Sequence, residues 1–300
     1  MKCWYRQGTQ LLLTLVIFAK MGSPNTAVAY TKTFPEVIYG NDNRQDLYEV
    51  RSHKFRDLAR STAIITKTSQ IQNSSLPNIN KLETKTLREA QNLCLSERFV
   101  DQPVGGSCSG FLVKENILVT AGHCITSKNH CRNSAIVFDF AFLTGDEQLS
   151  YVEKNQIYYC EQIIARKQIS PRGLDYAIIK LDRPVKDRPV LKLRRFGKVS
   201  DAARLSLIGH PSGLPTKIAN GGVVRDNSDL RYFITNTDSF GGNSGSAVFN
   251  QDGLVEGILV RGEKDYIKTK DKCWISNECD AFECRGEDVI RSSTFAHLIP

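Results

Sequence analysis

The feature that most constrains the fold is a series of short β-branched and apolar runs separated by turn residues. They cover 61–66, 109–113, 117–120, 135–142, 156–165 and 177–181. After a connection bracketed by Pro184 and Pro189, a second series covers 204–208, 216–226, 230–235, 246–250 and 253–260. Runs of this length with few helix signals between them build sandwiches or barrels rather than layered α/β sheets. The chain is therefore expected to be all-β, in two units on either side of the connection. Residues 67–93 are rich in Asn, Ser and Lys and read as a polar surface excursion outside the core, with a helical turn around 87–93.

The N-terminus reads as a targeting segment. Lys2 and Arg6 precede an apolar run from Leu11 to Ala19, and Ala27-Val28-Ala29 gives a small-x-small cleavage signal. The run is far shorter than the ~20 residues that span a bilayer. Residues 1–29 are thus expected to be a signal peptide, and the mature chain to be secreted, extracellular or periplasmic, with no membrane association after cleavage.

Of the 9 cysteines, only Cys3 lies in the signal segment. The even remainder in an exported chain reads as disulfides. Cys108 is a short-range partner for Cys124, and their pairing, which is expected, would close a loop beside His123. Cys131 with Cys160 is plausible within the first unit, while Cys94, Cys273, Cys279 and Cys284 are left to pair in any of three ways. The last three have spacings that lack the close pairs of structural zinc, and no metal or cofactor is expected.

The formal charge of +8 falls to +5 once residues 1–29, with Lys2, Arg6 and Lys20 and no acids, are removed, and that is mild. Basic residues crowd 166–198, opposed there only by Asp175, Asp182 and Asp187. A solvated connection explains this more simply than a polyanion-binding patch, because no aromatic residues interleave. No nucleic-acid partner is expected; protein or peptide substrates and a monomeric state are.

The chemistry centres on Asp238-Ser239-Phe240-Gly241-Gly242-Asn243-Ser244-Gly245-Ser246. A serine boxed in by glycines suits a nucleophile on a tight turn whose backbone N–H groups meet an anion. Such a serine needs a base and an orienting acid. Among 5 histidines, His53, His130 and His297 lie in polar or terminal stretches, and His210 sits on a Gly-His-Pro turn that suggests a structural role. His123 ends an apolar strand beside the expected Cys108–Cys124 staple. Asp175 opens an otherwise apolar strand, where a carboxylate is costly to bury without a donor.

Thr120-Ala121-Gly122-His123-Cys124, Leu174-Asp175-Tyr176-Ala177-Ile178-Ile179-Lys180-Leu181 and Gly241-Gly242-Asn243-Ser244-Gly245-Ser246 together resemble the trypsin-like (chymotrypsin-fold) serine peptidases. The Gly-Asn-Ser-Gly-Ser form is similar to the bacterial glutamyl-endopeptidase branch. The resemblance covers roughly residues 37–265. It implies two six-stranded antiparallel β-barrels, the first about 37–183 and the second about 190–265, followed by a Cys-rich segment 266–300. The active site would lie in the cleft between the barrels, with His123, Asp175 and Ser244 as the triad and the N–H groups of Gly242 and Ser244 as the oxyanion hole.

By the same resemblance, Asp238, Ser239 and Gly262 would set specificity. Asp238 would pair with a P1 Arg or Lys; the competing reading makes it a turn residue or one neutralised by Arg261. Leu259 stands about where glutamyl endopeptidases carry a histidine, which argues against cleavage after Glu. Val37-Ile38-Tyr39-Gly40 resembles a mature N-terminus of that branch, so 30–36 would be a propeptide removed by an activating protease; a plain arm left by signal cleavage is the alternative. Rival classes are a non-catalytic secreted homologue and an α/β-hydrolase esterase. The esterase fails on its elbow motif, on the order of histidine and serine, and on the scarcity of helices.

Overall fold

The computed structural model describes residues 38–169, 171–280 and 283–300. The expected signal peptide and the Glu36–Val37 cleavage point lie outside the described residues.

The first β-unit closes into a six-stranded barrel. Its strands are β1 (Thr62–Lys67), β2 (Cys108–Lys114), β3 (Ile117–Thr120), β4 (Ser134–Phe138), β5 (Ile157–Gln168) and β6 (Asp175–Leu181). Around the barrel the order is β1-β2-β3-β6-β5-β4, closing on β1, and every pairing is antiparallel. The second unit repeats that order. Its strands are β7 (Arg204–Gly209), β8 (Lys217–Asp226), β9 (Tyr232–Thr235), β10 (Ala247–Asn250), β11 (Val255–Arg261) and β12 (Glu287–Arg291), arranged β7-β8-β9-β12-β11-β10 and closed by β7 against β10. Two closed antiparallel barrels are what the resemblance implied.

The barrel boundaries differ from the expected ones. Arg44–Asp46, expected in the first barrel, pairs with β8 of the second. Lys217 in β8 donates a hydrogen bond from Nζ to the Asp46 carboxylate, and another to Gln102 Oε1 at 2.6 Å. The second barrel also runs past 265, because β12 supplies its sixth strand. Three of the five residues in β12 are charged, yet all five are buried. Asp288 is met by Arg261 and Arg285, and Arg291 donates to the carbonyls of Asn227 and Asp229. Burying charges is tolerable only with such partners.

Residues 67–93 are more ordered than their composition suggests. Ile71–Asn73, Ile79–Leu82 and Tyr151–Glu153 form a three-stranded sheet, and Leu87–Gln91 is a short helix capped by Thr86. Leu82 and Leu87 are buried, contrary to the expectation of a wholly surface excursion. Fully burying such a side chain contributes about 1.5–3 kcal/mol each.

Four disulfides are present among the described residues: Cys108–Cys124, Cys131–Cys160, Cys94–Cys273 and Cys279–Cys284. They fit an oxidising, extracellular compartment. No helix among the described residues is long and apolar enough to cross a membrane. The basic stretch 166–198 is largely engaged within the fold. Arg188 is buried against Asp139, Asp187 and Gln156, Arg194 pairs with Glu256, and Arg183 reaches the carbonyls of 154, 155 and 157.

Candidate active site

Strand register brings His123 and Asp175 together. Ala177 of β6 lies opposite Thr120 of β3 in an antiparallel pair, so the chain running on from Thr120 meets the chain entering β6. Ala121 accepts a hydrogen bond from the Cys124 N–H at 3.1 Å, which turns the chain and projects the His123 side chain. Asp175 Oδ2 lies 2.8 Å from His123 Nδ1, and Oδ1 accepts the His123 backbone N–H at 3.0 Å. Asp175 is buried and the His123 side chain is about a third exposed, at 31%. The carboxylate thus has donors that offset its burial, and the imidazole stays partly exposed.

Ser244 sits in the turn before β10. Asn243 N–H donates to Phe240 O, Ser246 N–H to Asn243 O, and Gly245 N–H to Leu259 O of β11. At Gly242, φ is +101°, a backbone region that side-chain-bearing residues rarely enter. A Cβ there would also meet His210 O at 2.5 Å and Gly213 N at 2.7 Å.

The first barrel holds this turn directly. Ser109 of β2 donates its N–H to Ser244 O at 2.9 Å and its Oγ to Gly242 O at 2.8 Å, while that Oγ accepts the His210 N–H at 2.9 Å. Thr120 Oγ1 donates in turn to Ser109 O. Sequence reasoning passed over Ser109. Its signal was a hydroxyl in an apolar strand, next to a cysteine expected to be bridged. The Cys108–Cys124 disulfide joins the same contact: Cys124 Sγ lies 3.6 Å from Ser244 O, and both sulfurs lie within 4.8 Å of a His123 ring nitrogen. Sulfurs in a disulfide are not metal ligands, so this trio is packing and not a metal centre.

The peptide between Gly241 and Gly242 is oriented by its carbonyl. Gly241 O accepts the Ser212 N–H at 2.5 Å, and Gly241 N–H donates to the Asp265 carboxylate. In a trans peptide the N–H opposes the C=O. The Gly242 N–H therefore points away from Ser212.

His210 is fully buried, with Nδ1 2.9 Å from Leu214 O. Burial pushes its imidazole down to about 3, so it is neutral in ordinary solution and serves the structure. His53 is exposed beside Arg56, and His130 closes a short helical turn with Thr126 and Ser127.

The specificity residues fall differently from expectation. Asp238 is buried, and its two oxygens accept the backbone N–H groups of Tyr39 at 2.8 Å and Asn43 at 2.9 Å. Ser239 is buried too, its Oγ accepting from Asn243 Nδ2. Arg261 pairs with Asp288 at 3.1 Å and approaches Asp175 Oδ2 at 4.0 Å, so it does not serve as the neutraliser of Asp238. Gly262 faces an acid that lies beyond the 37–265 span of the resemblance, Glu287. A Cβ on Gly262 would lie 1.8 Å from Glu287 Oε2, so this carboxylate packs straight over the glycine. Glu287 is buried and accepts from Tyr39 OH at 2.9 Å.

A family model described as a trypsin-like peptidase domain matches residues 108–258, half of the chain and a span that contains His123, Asp175 and Ser244. The chain belongs to the trypsin-like peptidase family. Among solved structures, this trypsin-like peptidase is similar to a Glu endopeptidase in complex with MPD, with a TM-score of 0.50 and 16% identity over 88% of this chain and 97% of that one. At that identity the likeness speaks for the fold alone. A serine endoprotease from Yersinia pestis overlaps less well, at a TM-score of 0.47 and 13% identity over 83% of this chain and 65% of that one. Among curated proteins, serine proteinase stubble of Drosophila melanogaster is 28% identical over 88 residues, 27% of this chain and 10% of that protein. The match thus spans a tenth of that relative's length.

Proposed function

We propose that the chain is a secreted serine endopeptidase in which His123, Asp175 and Ser244 act as a triad. The observation that carries this reading is the two-point grip of Asp175 on His123, in a turn tied through Ser109 and the Cys108–Cys124 bridge to Ser244. His123 takes the Ser244 proton through Nε2 as Oγ attacks the scissile carbonyl, and returns it to the leaving amine. Asp175 holds the Nδ1–H tautomer and stabilises the imidazolium. The Gly242 and Ser244 N–H groups receive the oxyanion, and water then releases the acyl group.

For P1 we propose a preference for Arg or Lys, read by Glu287 and not by Asp238. What supports it is a buried carboxylate lying against Gly262, on the wall expected to border the primary pocket. A P1 Glu would meet like charge there, which disfavours the glutamyl alternative. The residue Leu259, fully buried in β11, offers no counter-charge.

Three measurements test the reading. A fluorophosphonate probe should label the wild type at Ser244 and leave Ser244→Ala unlabelled; an unlabelled wild type would favour the non-catalytic homologue. A peptide panel with P1 Arg, Lys, Glu or Phe should be cut fastest after Arg or Lys, and faster cleavage after Glu would reverse the assignment. Sequencing the N-terminus of the secreted protein separates a start at Val37 from a start at Tyr30. Full activity from a Tyr30 start would remove the propeptide.

A further inference from the structure

The segment Ile38–Asp46 runs as a strap against the turn that carries Ser244. Ile38–Tyr39 pairs in parallel with Glu278–Cys279, and Ile38 is buried in one cluster with Phe240, Leu214 and Tyr266. The Arg44 guanidinium stacks 4.1 Å over the Phe240 ring while it pairs with Asp42 at 2.7 Å. At the centre of this contact stands Asp238, which is only 1% exposed and bonded to the amides of Tyr39 and Asn43.

We infer that Asp238 is a positioning residue, which fixes the oxyanion turn by holding the strap's two amides and does not read the P1 side chain. The inference rests on Ser244 being the nucleophile. Its physical basis is the short path from the clamp to the chemistry. Asp238 is four residues before Gly242, and between them Phe240 is pressed by Arg44 and Tyr266. Gly241 is fixed at both ends of its peptide groups by Asp265 and Ser212. Releasing the strap leaves the buried Tyr39 amide and the half-buried Asn43 amide without acceptors and frees Phe240. The Gly242 N–H then loses the fixed direction on which oxyanion stabilisation depends.

A pH dependence follows from the same geometry. Burial pushes the Asp238 carboxyl up to about 6 against the pull of the two amide bonds; the neighbouring Asp42 adds to the rise and Arg44 opposes it. As pH falls through that value one oxygen becomes a hydroxyl, and one amide faces a poorer acceptor.

The test measures fluorophosphonate labelling, which needs the nucleophile and the oxyanion hole but no P1 group, beside the P1 peptide panel. In Asp238→Asn the labelling rate should fall at least about tenfold, a fraction of what losing a whole oxyanion donor costs. The value of kcat should fall alike for P1 Arg, Lys and Phe, with their ratios held within about twofold. Acidification protonates the imidazole base and slows labelling in every variant; below about pH 6 the wild type should lose a further share of labelling that Asp238→Asn keeps. Asn43→Pro removes one donor and leaves the carboxylate intact; it should slow labelling too, and it decides the matter where Asp238→Asn does not melt cooperatively. Wild-type labelling with selective loss of Arg and Lys cleavage would make Asp238 the P1 anchor and overturn the inference, as would unchanged kinetics in both variants. A wild type that is never labelled removes the peptidase reading itself, an outcome separate from either.

Discussion

Asp175 holds His123 at two points, with Oδ2 on the ring Nδ1 at 2.8 Å and Oδ1 on the backbone N–H at 3.0 Å. The second contact dictates what an asparagine would do. In Asp175→Asn the backbone N–H claims the amide oxygen, so the NH₂ group is turned toward Nδ1. The imidazole must then carry its proton on Nε2, where it cannot accept one from Ser244. We expect kcat to fall about 10³- to 10⁴-fold with KM nearly unchanged, measured on the best P1 substrate.

Ser109 is expected to matter to both stability and turnover. Its Oγ satisfies Gly242 O and His210 N–H inside the interface between the barrels. Ser109→Ala leaves both groups unsatisfied, at a cost of about 1–3 kcal/mol for each buried orphan. Thermal melting should show the loss, and kcat should fall about tenfold as the Gly242 peptide is loosened. Unchanged kcat beside a lowered melting point would make the hydroxyl purely structural.

His210 should make the protein sensitive to acid. Burial holds its folded value near 3, below the ordinary 6.5, so the unfolded chain binds the proton first. The stability linked to it is present above pH 6.5 and drains away as pH falls toward 3, by an order of a few kcal/mol. Asp238 works in the opposite sense. Its raised folded value favours the folded chain at low pH, and that contribution is lost as pH rises through about 6. The His210 shift is the larger, so melting points measured from pH 7 down to 4 should decline in the wild type. His210→Gln should flatten the decline; an equal slope in both proteins would remove His210 as its source.

Glu287→Gln tests the specificity wall. The amide oxygen can still accept from Tyr39 OH, so the fold should persist while the charge disappears. The ratio of kcat/KM for P1 Arg over P1 Phe should drop about 10- to 100-fold, the scale of one lost charge-assisted contact. An unchanged ratio would return the P1 assignment to other residues.

Eleven of the twelve barrel strands could be read from β-branched runs between turns, and the three motifs that brought His123, Asp175 and Ser244 forward lie in or beside those strands. What escaped depended on partners far away in sequence. Glu287-Asp288-Val289-Ile290-Arg291 looks like a charged loop until Arg261, Arg285 and the carbonyls near 227–229 are brought to it. Asp238 looks like a pocket acid until the amides of Tyr39 and Asn43 arrive from 199 and 195 residues away. Local pattern specifies a strand well, because alternation and branching act within a few residues. It is silent on which distant donor will occupy a carboxylate.

The two barrels share one strand order but are sewn from the chain in different ways. The first uses residues 62–181 in one uninterrupted pass, whereas the second borrows 44–46 from before it and 287–291 from well beyond Ser244. During synthesis, at roughly 5–20 residues per second, His123 and Asp175 can be seated for several seconds while the serine's barrel is still open along one side. The chain therefore emerges with His123 and Asp175 in place and Ser244 unset, and a molecule cut short before residue 287 carries all three side chains without a finished barrel to align them.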